Sequence, residues 1–181
     1  MLIFLFSFNT LKTSFMKKLF FATILTAAAF VGTAAVLIIN ADFKGEWTFN
    51  EGKSKLAEGR FRMNASNIKV SADGDALVIE RTATPPQGDP VTSKEKITFD
   101  GKPSESTGFR NSKKVSTAKW SDNGEELTIN ATTTFEGNGQ TFELKSVEIW
   151  KLTDGGKTLT LDVTSTSPRG ETKNTFVYDK K

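Results

Sequence analysis

Arg81, Glu95 and Glu148 are the residues whose type and placing could do chemistry in this chain. Read with the two-residue period of a strand, each shares a face with apolar neighbours. Arg81 follows Leu77 and Ile79 and precedes Ala83. Glu95 sits in the series Val91, Ser93, Glu95, Ile97, Phe99. Glu148 sits in the series Phe142, Leu144, Ser146, Glu148, Trp150, Leu152. A charge on a buried face is costly alone, so these groups are expected to pair. Two roles stay open. One is a structural Arg–Glu network filling the middle of the fold. The other is a polar anchor for the carboxylate, hydroxyl or amide of a ligand, gripped by a guanidinium fork. The two carboxylates by themselves would suit acid–base work of the glycosidase kind. Nothing else in the chain supports that chemistry, and strand register already explains both positions. There is no histidine, which removes the commonest general base and metal ligand. There is no cysteine, which removes disulfides and thiolate chemistry. The expectation is a protein that is not an enzyme, with no catalytic residue, no metal and no cofactor.

The elements that place these residues read as strands from residue 42 onward. Runs rich in Val, Ile, Thr, Phe and Trp alternate with turn residues at Asp73-Gly74, 85–90, Asp100-Gly101, Asn123-Gly124, 137–139, 154–156 and 168–170. Ten strands are expected near 43–50, 66–72, 76–84, 91–99, 104–110, 113–120, 127–135, 141–152, 158–167 and 172–179. Residues 51–62 are weakly patterned and read as a loop or a single helical turn. Every connection after Arg62 is short enough for a hairpin, which makes the chain an antiparallel meander. A long meander leaves two exposed edges unless it closes, so the expected fold is all-β: an up-and-down meander of about 8–10 strands curled into a barrel.

One phrase occurs three times, at 69–81, 119–131 and 151–163: Lys, two or three residues, an Asp or Asn with Gly, then Leu and, two positions on, Ile or Leu. It predicts three hairpins with Val70 opposite Leu77, Trp120 opposite Leu127 and Leu152 opposite Leu159. Ile68 and Ile79, Ala118 and Ile129, and Trp150 and Leu161 would follow on the same face. A one-residue slip would expose all of them, so that face is the interior. The three turns then mark one end of the barrel, plugged by large side chains. Away from it the same parity gives smaller or polar residues: Ala131, Thr133 and Phe135 on one strand, Ser165 on another. Small inward residues leave room, as a barrel closed below and hollow above requires. The candidate ligand contacts are therefore Arg81, Glu95, Ala131, Thr133, Phe135, Phe142, Glu148 and Ser165. Phe135 and Phe142 stand near the expected open end.

Residues 1–41 form a separate region. They hold Lys12, Lys17 and Lys18, no acid, and a long apolar run. The stretch from Met16 reads as a secretory signal with cleavage after Ala41 or, earlier, after Ala35. Residues 1–15 read as an upstream start that translation need not use. The alternative is an uncleaved anchor, because Leu19–Ile39 is long enough to span a bilayer. Without the leader the chain loses three of its 24 basic residues and none of its 21 acidic ones, so the formal +3 charge belongs to the leader. The remaining domain is balanced and carries no basic stripe for nucleic acid or anionic lipid. A membrane would be met only through the leader. Export without disulfides points to a bacterial protein that is secreted or periplasmic. Asn64-Ala-Ser and Asn130-Ala-Thr match the glycosylation pattern by chance in that setting.

The opening of the domain, "FKGEWTFN", carries a Gly-x-Trp at Gly45-Glu46-Trp47. Trp47, Asn50 and Ser54, the repeated Asp-Gly turns and the final Phe176-Val177-Tyr178 accompany it. With the meander, residues 42–181 resemble the lipocalin-like families of exported bacterial proteins. That resemblance implies a barrel with a central cavity for a small hydrophobic or amphipathic molecule. It also implies an arginine over the tryptophan near the last strand, for which Arg169 in the turn 168–170 is the only candidate. The expected function is thus binding of such a ligand by a monomer. The alternative is a structural or interaction domain of the cell envelope with a packed barrel and no ligand, its outward Val147 and Ile149 offering an apolar stripe.

Overall fold

The computed structural model describes residues 39–57, 64–85, 88–108, 111–137 and 139–181. The expected leader, apart from residues 39–41, and the second half of the weakly patterned stretch lie outside the described residues. The strands are β1 (Gly45–Phe49), β2 (Asn67–Asp73), β3 (Ala76–Ala83), β4 (Val91–Ile97), β5 (Ser104–Thr107), β6 (Lys113–Trp120), β7 (Glu126–Gly137), β8 (Gln140–Thr153), β9 (Thr158–Ser167) and β10 (Gly170–Lys180). They form one antiparallel sheet in the order β4-β3-β2-β1-β10-β9-β8-β7-β6-β5. The up-and-down barrel predicted from the turns is present, and it is nearly closed. The chain ends are paired: Trp47 faces Lys180, and Phe49 faces Tyr178.

The one break in the ring falls between β4 and β5. Among the described residues no ladder joins them. Across the corner that links them, Thr98 N donates to Ser104 Oγ at 3.4 Å. Open edges invite pairing with other chains, and both of these are defended. β5 is only four residues long. On β4 the outward Lys94 and Lys96 are held by Glu80 at 2.9 Å and Asp73 at 2.8 Å.

Alternation sets the inside of the barrel as expected. Trp47, Ile79, Leu127, Ile129, Trp150 and Leu159 have no exposed surface. They gather at the end marked by the repeated phrase, where Phe43 crosses beneath. Its ring stacks on Trp120 at 5.5 Å and meets Trp150 edge-on at 5.6 Å. The Trp47 indole N–H donates to Phe43 O at 2.9 Å, so this polar atom is satisfied within the plug.

Two of the three repeated hairpins have the predicted register, with Trp120 opposite Leu127 and Leu152 opposite Leu159. The first does not. Val70 faces Ile79, Ala72 faces Leu77, and Ile68 faces Arg81. The reason is the tightness of the turn. Asp73 pairs with Ala76 around only two residues, with Gly74 at φ 61, as a two-residue hairpin needs. At the third copy Thr153 pairs with Thr158 around four. The shift is by two residues, so every side chain keeps its face.

The residues that carried the family resemblance tie the first strand to the last. Asn50 Oδ1 accepts from Lys53 N at 3.0 Å, closing a 3₁₀ turn over Glu51–Lys53. Its Nδ2 donates to Asp179 at 2.6 Å. Ser54 Oγ donates to Asn50 O at 2.7 Å and accepts from Val177 N at 2.9 Å. The expected arginine over Trp47 is not Arg169, which lies in the β9–β10 turn with its backbone N–H on Ser167 Oγ at 3.2 Å. The cation there is Lys180, with Nζ 5.2 Å from the ring centre. Lys180 lies directly opposite Trp47 on the neighbouring strand, whereas the β9–β10 turn is at the far end of β10.

Candidate functional site

Arg81 and Glu148 meet inside the barrel although their strands do not neighbour each other. β3 and β8 are five steps apart along the sheet whichever way the ring is followed. Their contact is therefore a strut across the full width of the interior. It is bidentate, with Nη1 donating to Oε1 at 2.9 Å and Nη2 to Oε2 at 2.8 Å. The Trp150 indole N–H also donates to Glu148 Oε2, at 2.9 Å. The guanidinium carbon lies 5.4 Å from the Trp150 ring centre, within cation–π range.

Glu95 extends the strut toward the seam. Its Oε1 lies 3.2 Å from Arg81 Nη2, close enough for an ion pair yet without the alignment of a hydrogen bond. Its Oε2 lies 2.8 Å from Lys114 Nζ and accepts from Ser116 Oγ at 3.5 Å. Since Glu95 is on β4 and both partners are on β6, these contacts bridge the unladdered seam from inside. Lys114 and Ser116 were not among the expected site residues. The signal for them was present: stepping back by two from Trp120 and Ala118 reaches Ser116 and then Lys114.

The four charges sum to zero in a setting with little water. Burial disfavours the Arg81 cation, but Glu148 and then Glu95 outweigh it and raise its pKa beyond the ordinary value. Burial likewise acts to raise the Glu148 carboxyl, and Arg81, then Lys114, outweighs it, holding the group at about 2 instead of 4.5. Burial pushes the Tyr178 hydroxyl well above its ordinary 10, with Arg81 opposing. These shifts fix the pH dependence of stability. As pH falls below 4.5 the unfolded chain takes up a proton that folded Glu148 refuses. The contribution of this carboxylate, up to about 3 kcal/mol, is present above 4.5 and is lost between about 4.5 and about 2. Above pH 10 the unfolded chain loses the Tyr178 proton first, so stability falls again. Urea midpoints across pH 2–5 should therefore slope less for Glu148→Gln than for the native protein. Equal slopes would show that Glu148 is not held by Arg81.

Ala131, Ser146 and Ser165 pair in one row, immediately beyond the row of Ile129, Glu148 and Val163. Thr133 and Leu144 form the next row, and Phe135 and Phe142 the one after. The structure thus brings Arg81, Glu95 and Glu148 into contact, with Ala131 and Ser165 on the wall just above. Phe135 and Phe142 belong elsewhere. Six residues along β7 from Ile129 is about 20 Å of strand, and they stack on each other at 4.9 Å. Phe142 is 50% exposed, at the tip of the longest hairpin. Burial grades in the same direction. Glu95 and Glu148 are buried, whereas inward Ala83, Ser93, Thr133, Ser146 and Ser165 are partly exposed. The charged layer is the floor of the more open half.

The outer wall has a separate feature. A shallow groove of about 460 Å³ runs across β6, β7 and β8, lined by Val115, Thr117, Asn130, Thr132, Lys145 and Val147 among others. Val147 is 39% exposed and Ile149 is half-buried. Among the described residues no cluster of three or more carboxylates is placed to share a metal ion. No protein-family model, curated protein or solved structure matches this chain.

The seam gives a dynamic expectation. Hydrogen exchange should be faster for amides of β4 and β5 than for those of β8 and β9, which are laddered on both sides. Lys114→Met removes a charged contact across the seam and should speed exchange in β4 by about tenfold, leaving β9 unchanged. Uniform protection around the ring would show that the seam is as tight as a ladder.

Proposed function

We infer that the domain is a lipocalin-like, non-enzymatic carrier of a small hydrophobic or amphipathic molecule, acting after export as a monomer. The observation that carries this reading is the division of the interior. One end is sealed by Phe43, Trp47, Trp120 and Trp150, while beyond the charged floor Ala83, Ser93, Thr133, Ser146 and Ser165 are small and partly exposed, with Leu144 beside Thr133 and the stacked Phe135 and Phe142 further out. A ligand would place its apolar body between the walls of Ala131, Thr133 and Ser165 and its polar end on the floor. All polar groups of the floor reside on strands, which suits binding to a preformed site.

The test uses protein purified from its own host. Native mass spectrometry should show a co-purifying mass of small-molecule size that organic extraction removes. Titration with N-phenyl-naphthylamine should give saturable binding, with quenching of Trp150 beside the floor. Absence of both a co-purifying mass and saturable probe binding would favour the packed scaffold.

A further inference from the structure

The first described residues carry a contact that bears on where the leader ends. Ile39 is 85% exposed and Asn40 is exposed, whereas Ala41 is partly buried and packs against the core cluster. The Ala41 backbone N–H donates to Gly124 O at 2.8 Å, in the turn between β6 and β7. Two residues on, Phe43 is buried, stacks on Trp120 and accepts from the Trp47 indole. The domain therefore begins at Ala41, not at Asp42. Ala41 pins the near end of the segment that carries Phe43 into the plug. An amide N–H at Ala41 exists only in a chain that continues before it. Cleavage after Ala41 would remove this donor from Gly124 O and make Phe43 the second residue of the chain. A chain end that nothing ties down frays, and this one seals the barrel.

The leader itself points to an earlier cut. A signal peptide has an apolar core of about 7–15 residues, then small residues at the first and third positions before the cut. After Met16, Lys17 and Lys18, the twelve residues Leu19–Phe30 supply that core, and Gly32-Thr33-Ala34-Ala35 follow. A cut after Ala35 has Thr33 and Ala35 at the two positions. A cut after Ala41 has the bulky Ile39 in place of Thr33 and extends the apolar run through Val36-Leu37-Ile38. We propose that the leader is removed between Ala35 and Val36, so that the exported chain keeps residues 36–41 and uses Ala41 to anchor its first buried side chain. This rests on the export in the reading above and not on the ligand. Water adds across the Ala35–Val36 peptide bond, which leaves a carboxylate on Ala35 of the leader and an ammonium on Val36. Residues 36–41 carry no charge, so the charge balance of the domain is the same for either cut.

The test is the amino terminus of the protein purified from its own host, read by intact mass and by terminal sequencing. Val36-Leu37-Ile38-Ile39 is the expected start. Any other processed start, Asp42 above all, overturns the proposal. A chain that still begins at Met1 or Met16 sinks the cleaved-leader reading, and this proposal with it. The carrier reading is judged separately, by probe binding. A second measurement tests the anchor by comparing the chains 36–181 and 42–181. The shorter chain should melt about 3–5 °C lower. Its Trp47 indole N–H should exchange faster, with the amides of β8 and β9 unchanged. Equal midpoints and equal exchange would overturn the anchoring role of Ala41.

Discussion

Arg81→Met should lower the free energy of unfolding by about 3–5 kcal/mol, a large share of what holds a domain of this size together. The loss is not the value of one bond. Removing the guanidinium leaves Glu148, with 8% of its side chain exposed, and Glu95, with 6%, each short of a counter-charge. Glu95 keeps Lys114 at 2.8 Å, while Glu148 keeps only the Trp150 N–H among its hydrogen bonds. The damage therefore concentrates on Glu148, which must be protonated or rehydrated for the barrel to stay closed around it. The companion variant Arg81→Met/Glu148→Leu removes more contacts yet should be less destabilised than Arg81→Met, because no charge is stranded across the barrel. Urea unfolding of the native protein, both single variants and the double variant completes the cycle. Single-variant losses that simply add, or an Arg81→Met loss under about 1 kcal/mol, would mean that the strut does not act as a unit.

Trp47→Ala should cost about 3–5 kcal/mol for a different reason. Trp47 is fully buried, with Lys180 Nζ 5.2 Å from its ring centre, and its N–H is on Phe43 O. Truncation opens a cavity in the sealed end and frees the Phe43 segment. Trp47→Phe keeps most of the packing and loses the hydrogen bond, for about 1–3 kcal/mol. The two variants also separate the ends of the barrel. Because Trp47 is on the closed side of the charged floor, Trp47→Phe should leave affinity for N-phenyl-naphthylamine unchanged. A weakened probe affinity would place the ligand at the other end. Thermal unfolding and the probe titration read the two effects independently.

The groove over Val147 marks the limit of reading side chains by alternation. Outward parity of Val147 and Ile149 is plain from the sequence, and the structure agrees. How exposed each is depends on neighbours: Val147 faces Asn130 and Thr164, while Ile149 faces Thr128 and Asp162. An alternation pattern gives a side, and the strands next door give the depth.

Residue types and spacing by themselves determined the ten strands, their antiparallel order, the inward face of each and the sealed end. These follow from local geometry: side chains alternate every residue, and Gly with Asp or Asn turns the chain within a few positions. The same alternation reached Arg81, Glu95 and Glu148, and one more step along β6 would have reached Lys114. Only the tertiary structure decided who meets whom. Arg81 and Glu148 are 67 residues apart and stand on opposite walls. Their contact depends on the ring closing through β1 and β10 and on the stagger of every ladder between. The tightness of the first hairpin moved Val70 from Leu77 to Ile79 without changing its face. The seam between β4 and β5 arises where a short β5 and the corner before it leave no ladder, and its inner bridge from Glu95 to Lys114 skips a strand. Faces are set by each residue's own backbone, whereas partners across a barrel are set by the whole circumference.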